Sequence, residues 1–128
     1  MNSDEEAGKL EKLIGQLQGL HEEMSALAKK SPSDAVNLFK LKLLNKVLSL
    51  GNEVLGQEYK PVEGFEQFDP DDVPSTSDAA MVLSQYIQET ERYRSNNTVY
   101  RDGNWQYVVR GEPSGIRTGE PSIRSGRK

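Results

Sequence analysis

Between Leu10 and Leu27 the apolar residues Leu10, Leu13, Leu17, Leu20, Met24 and Leu27 recur at intervals of 3, 4, 3, 4 and 3. That spacing marks one face of an α-helix and no face of a strand. It is also an a/d seam, the pattern that lets one helix pack lengthwise on another. Ile14 widens the seam beside Leu13, and Glu11, Lys12, Glu22 and Glu23 fall off it. The seam runs for under four heptads, which favours a helical hairpin inside one chain over an extended coiled coil. It also leaves a homo-oligomer through the same seam as an alternative.

Helix boundaries follow from capping chemistry. Ser3 with Glu6 fits a capping box, so the first helix is predicted over Ser3 to about Lys30. Gly8, Gly15 and Gly19 each cost about 1 kcal/mol against Ala there, so the helix needs a packing partner. Ser31-Pro32-Ser33-Asp34 reads as a turn and restart, with Ser31 as N-cap and Pro32 at the first helical position. So short a turn predicts an antiparallel helical hairpin.

The second helix is predicted from about Pro32 to Leu55, with a C-cap at Gly56 and fraying at Gly51. Val36, Phe39, Leu43, Val47, Leu50 and Val54 form one apolar stripe, and Leu38, Leu41, Leu44, Leu48 and Leu55 an adjoining one. An apolar surface that wide predicts a central helix buried on more than one side, with Lys40, Lys42 and Lys46 snorkelling from its edges.

Residues 57–78 form a linker of different composition. Glu58, Glu63, Glu66, Asp69, Asp71, Asp72 and Asp78 stand against Lys60 alone, and Pro61, Gly64, Pro70 and Pro74 forbid a long helix. Tyr59, Phe65 and Phe68 are expected to pin this loop onto the core. Docking of another protein at Phe65 and Phe68 is the alternative. The acids are expected to touch the lysines of the second helix.

Ser75 with Asp78 opens a third helix that ends near Ser95-Asn96-Asn97. Its apolar face is Ala79, Val82, Leu83, Tyr86, Ile87, Thr90 and Tyr93, with Glu89, Glu91, Arg92 and Arg94 toward water.

Two β-rich runs, Thr98–Arg101 and Asn104–Val109, flank Asp102-Gly103, a pair suited to a type I′ hairpin turn. A lone hairpin is marginal in water, so it must pack on the helices or on a partner. Beyond it, Gly111-Glu112-Pro113-Ser114-Gly115-Ile116-Arg117 is echoed by Gly119-Glu120-Pro121-Ser122-Ile123-Arg124, a composition that predicts disorder. The expected architecture is mainly α: a three-helix bundle with a C-terminal β-hairpin in residues 1–109, and a disordered basic tail over 110–128.

Composition bounds the chemistry. Only 34% of the 128 residues are hydrophobic and the mean hydropathy is −0.72, so the core is modest and an oligomer or obligate partner is expected. Net charge is −4. The five basic residues Arg110, Arg117, Arg124, Arg127 and Lys128 face only Glu112 and Glu120 in the tail, a balance of +3 that leaves −7 on the first 109 residues.

There is no cysteine and one histidine, His21. Disulfides, thiolate nucleophiles and multi-histidine metal sites are therefore excluded. His21-Glu22-Glu23-Met24 begins like a zinc-protease helix but lacks the second His. Asp69-Pro70-Asp71-Asp72 continues with Val73 and Pro74 where a calcium loop needs an oxygen ligand and Gly. No phosphate-binding glycine loop is present, no cofactor is expected, and the chain is read as non-enzymatic.

An acidic start and the lack of a long apolar run point to a cytoplasmic protein with no membrane partner. Two binding signals remain. Tyr100, Trp105 and Tyr107 are residue types that carry interface energy, with Trp105, Tyr107 and Val109 alternating onto one face and Gln106 and Val108 onto the other. The basic tail residues fit phosphate backbones. The expected function is therefore protein binding, of adaptor, chaperone or inhibitor type. The alternatives are a nucleic-acid-associated accessory protein or a non-catalytic subunit of an enzyme complex.

Overall fold

A computed structural model describes residues 1–122. The elements are α1 (Asp4–Lys30), α2 (Leu38–Leu55), α3 (Thr76–Asn96), β1 (Thr98–Arg101), β2 (Asn104–Val109) and β3 (Glu112–Thr118). The result is a helical core carrying a C-terminal three-stranded antiparallel sheet in the order β1-β2-β3.

α1 begins where its capping chemistry places it. The Ser3 hydroxyl accepts from Glu6 N at 3.2 Å, and the Glu6 carboxylate accepts from Asn2 N. Asp4, Glu5 and Glu6 occupy the positive first turn, and Lys29 and Lys30 the negative last one. The seam turns inward: Ala7, Leu10, Leu13, Leu17 and Met24 are fully buried, with Leu20 and Leu27 half-buried. This face packs chiefly against α3, more lightly against α2, and also against β3. α1, not α2, is therefore the central helix.

α2 starts at Leu38, later than the turn residues predict. Ser31 closes α1 by donating its N–H to Leu27 O, and Asn37 caps α2 by accepting from Lys40 N at 2.9 Å. Residues 32–36 hydrogen-bond to the start of α3 instead of forming a helix: Val36 N donates to Pro74 O, Thr76 N to Asp34 O and Ser77 N to Pro32 O. Those long-range bonds use the backbone groups that a helical turn would need.

Leu41, Leu44, Val47, Leu48 and Leu55 are buried, but Leu38, Phe39 and Leu43 are exposed to 60%, 73% and 44%. α2 thus buries one face only. Lys40 of α2 pairs with Glu23 of α1 near one end, and Gly51 lies close to Leu13 further along, so the two helices run antiparallel as expected.

Gly51 does not fray the helix. It is buried, and a Cβ there would stand 3.0 and 3.2 Å from two ring carbons of Tyr86. Its missing side chain lets the Tyr86 ring lie on the α2 backbone while the Tyr86 hydroxyl donates to Asn52 Oδ1 at 2.7 Å. Burial, opposed by the Asn52 bond, pushes the Tyr86 phenol up to about 12.

The acidic linker is pinned as expected. Asn45 Nδ2 donates to Phe68 O and Phe68 N donates to Asn45 Oδ1, both at 2.9 Å, while Phe65 and Phe68 meet edge-on and pack against the core. Tyr59 is buried against Tyr93, with the Arg92 guanidinium 4.6 Å from its ring centre. The linker acids do not reach the α2 lysines among the described residues. Glu66 pairs with Lys60 inside the linker.

The β1–β2 hairpin forms on Asp102-Gly103, both at positive φ (56° and 84°), as a type I′ turn demands. The sheet then goes beyond expectation. Arg110 and Gly111 supply a second positive-φ pair (54° and 79°), and the segment read as disordered returns as β3. Pro113 is tolerated because β3 is an edge strand with no partner waiting for its missing N–H. Ile116 anchors the strand to the core.

Two glycines separate packing from propensity. Gly51→Val is expected to cost about 2 kcal/mol through overpacking against Tyr86. Gly15→Ala, with nothing within 4 Å of the new Cβ, should stabilise by about 0.5–1 kcal/mol. Urea denaturation of both variants measures the contrast.

Candidate functional site

The hairpin brings Tyr100 and Trp105 directly opposite each other across β1 and β2. Their rings meet edge-on at 5.5 Å between centres and 67° between planes. Edge-to-face contact sets the positive rim of one ring against the negative face of the other. Tyr100 is 58% exposed and Trp105 is half-buried. Neither is among the residues that build the core or pack against it. Arg101 and Asp102 follow Tyr100 at the exposed tip, and Asn104 Oδ1 is buried there without a hydrogen-bond partner.

Tyr107 belongs elsewhere. It is fully buried, and its hydroxyl donates to the Glu11 carboxylate of α1. Burial first, then that bond and the Glu11 charge, push its phenol far above the usual tyrosine value. It is an anchor of the sheet, not an exposed contact. The same Glu11 oxygen accepts from Thr118 Oγ1 of β3 at 2.8 Å. Gln106, on the opposite face, is also held: its Nε2 donates to Arg101 O and its Oε1 accepts from Gly115 N. The ladder between β2 and β3 shifts register beside it, between Gln106 and Val108. Phe65 and Phe68 lie half-buried in the linker, far from the hairpin in their hydrogen bonding.

The residues that hold the end of the sheet were read from the sequence as solvent-facing. Arg94 is only 8% exposed. Its Nη1 donates to Thr118 Oγ1 at 2.8 Å and to Gly119 O at 2.7 Å, and its Nη2 to Glu120 O at 3.3 Å. Glu91 orients the guanidinium through two bonds, 2.9 and 2.8 Å, and accepts from both the N–H and the hydroxyl of Ser122. Burial by itself raises the Glu91 carboxyl, but the bonds from Arg94 and Ser122 outweigh it and hold the group below its usual range. The only sequence signal was the i, i+3 spacing of Glu91 and Arg94, which most often marks a solvated helix pair.

The basic tail residues do not act as a set. Arg110 is spent on the N-terminal segment, its N–H donating to Met1 O at 2.8 Å and its Nε to Asn2 O at 3.1 Å. Arg117 is exposed on β3 opposite Gln106. Arg124, Arg127 and Lys128 lie outside the described residues. His21 lies 3.5 Å from Ser25 Oγ, one turn along α1. Among the described residues no group of three or more His, Asp or Glu side chains is placed to hold a metal ion, and no helix is long and apolar enough to cross a membrane.

The lowered Glu91 carboxyl has a direct linkage consequence. Its contribution to stability is complete above the unfolded carboxylate value, about 4.3, and is lost as pH falls through the lower folded value. Glu91→Gln should cost about 1–3 kcal/mol at pH 7 and leave a shallower loss of stability below about pH 4. Urea midpoints at pH 7 and across the acid range give both numbers.

Compared with protein-family models, with curated proteins and with solved structures, the chain matches none.

Proposed function

We propose that this chain is a small cytoplasmic protein-binding protein, an adaptor, chaperone or inhibitor without catalytic activity of its own, built as a three-helix bundle that presents a β-hairpin. The observation that carries this reading is the Tyr100–Trp105 pair. Two large aromatic rings stand at a hairpin tip without contributing to the core. Solvated aromatic surface is costly to keep, and the same residue types supply much of the energy where proteins meet. The structural use of most groups shifted from their ordinary values supports the absence of catalysis. Glu91, Arg92, Arg94, Tyr86 and Tyr107 each have hydrogen bonds that position a helix, strand or tail segment.

A nucleic-acid role through the basic tail has less support. Arg110 is engaged by the N-terminal backbone, and the shortened set is interrupted by Glu112 and Glu120.

Capture of partners from the protein's own cells, with and without nuclease, tests the reading when wild type is compared with Tyr100→Ala/Trp105→Ala. A stoichiometric protein partner that survives nuclease and is lost from the double variant is the expected result, with binding weakened by about 2 kcal/mol or more. Partners retained equally by the variant would sink the aromatic tip, and nuclease-sensitive partners would favour the tail.

A further inference from the structure

The face of α2 directed away from the core has a chemistry of its own. Phe39 and Leu43 are one turn apart and exposed, with exposed Leu38 beside them. Lys42 and Lys46 share that face at helical spacing. Lys40 is paired with Glu23, but no carboxylate among the described residues lies within ion-pair distance of Lys42 or Lys46. From Ala35 to Asn52 the chain holds three lysines and no acid, within a protein of net charge −4. Linker residue Gln67, tied to Ser49, walls a groove along this face that Lys42, Leu43, Asn45 and Lys46 also line.

We propose that the Leu38–Lys46 face of α2 is a second docking surface, and that its occupant is an acidic amphipathic helix of a partner protein. The charges select the occupant. Two unpaired ammonium groups beside three exposed apolar side chains are matched by a segment that brings carboxylates and apolar residues together. The patch follows a single helical face for two turns, which an apposed helix meets with i, i+3, i+4 and i+7 contacts.

A second copy of the chain fits poorly. It has exposed acids on its helices, such as Glu22, Glu53 and Asp78, but outside this face its exposed large apolar side chains are Met81 on α3 and Tyr100 on the hairpin, so no helix sets acids beside a row of apolar residues. Self-pairing of the face would set Lys42 and Lys46 against their own copies. An anionic bilayer fits poorly as well, because the patch runs for only about two helical turns and offers only Lys42 and Lys46 as unpaired cations.

The surface is distinct from the aromatic tip, since the sheet rests on α1 and α3. The test is a backbone amide NMR titration of the full chain with a synthetic helical peptide of about 15 residues, leucines at alternating third and fourth positions and glutamates on either side. Saturable shifts centred on residues 38–46 below about 1 mM peptide are expected. Lys42→Glu/Lys46→Glu should weaken them at least tenfold, and Phe39→Ala should also weaken them.

Each of four results would overturn the inference: no saturable shift on α2, equal binding of a peptide with lysine in place of glutamate, tighter binding to phosphatidylserine vesicles than to the peptide, or dimerisation of the chain through this face. Tyr100→Ala should leave peptide binding unchanged. If it abolishes binding, the peptide is held at the hairpin tip, and this inference fails while the proposed function stands.

Discussion

Burial of the α1 seam is the constraint on which the remaining structure depends. Leu10, Leu13 and Leu17 have no solvent exposure, and no single neighbour covers them. α3 covers most of the seam, α2 covers another part, and the sheet closes the N-terminal half through Tyr107 and Ile116. A 27-residue helix with three interior glycines would be marginal alone. Its stability comes from being enclosed, and the enclosing elements are in turn aligned by it. Glu11 shows this at the level of one side chain: from an exposed position on α1 it receives the hydroxyls of β2 and β3 at once.

Local chemistry was legible in the sequence, and long-range competition was not. Ser3, Ser75 and Gly56 cap their helices because capping depends on residues three or four apart. The Asp102-Gly103 hairpin was legible for the same reason. The start of α2 was missed because residues 32–36 trade helical bonds for bonds to residues 74–77, some forty positions away. β3 was missed because its composition resembles a linker, and what orders it lies elsewhere: Gln106 receiving Gly115, Arg94 gripping Thr118 and Gly119.

The candidate site was legible only in part. Tyr100 and Trp105 were singled out and do stand together, but Tyr107 is separated from them by burial. Strand alternation places all three on one face. It does not say where the helical body beneath that face ends. The same limit applies to α2, where Phe39 and Leu43 look like core residues in the sequence. The apolar width of a helix predicts how much surface it can bury, and the number of available neighbours sets how much it does bury.

The bond from Tyr107 to Glu11 joins residues 96 positions apart, and Arg110 joins Asn2 across 108. Contacts of that span cost loop-closure entropy before they return any energy, which slows folding. They also impose an order during synthesis. α1 leaves the ribosome before α2, α3 and the sheet, and its seam is fully covered only when all three have followed it. Until those elements follow, the leucines of α1 lack their native cover, and it is in this unfinished form, more than in the completed fold, that the chain is most exposed to aggregation and to capture by other chains.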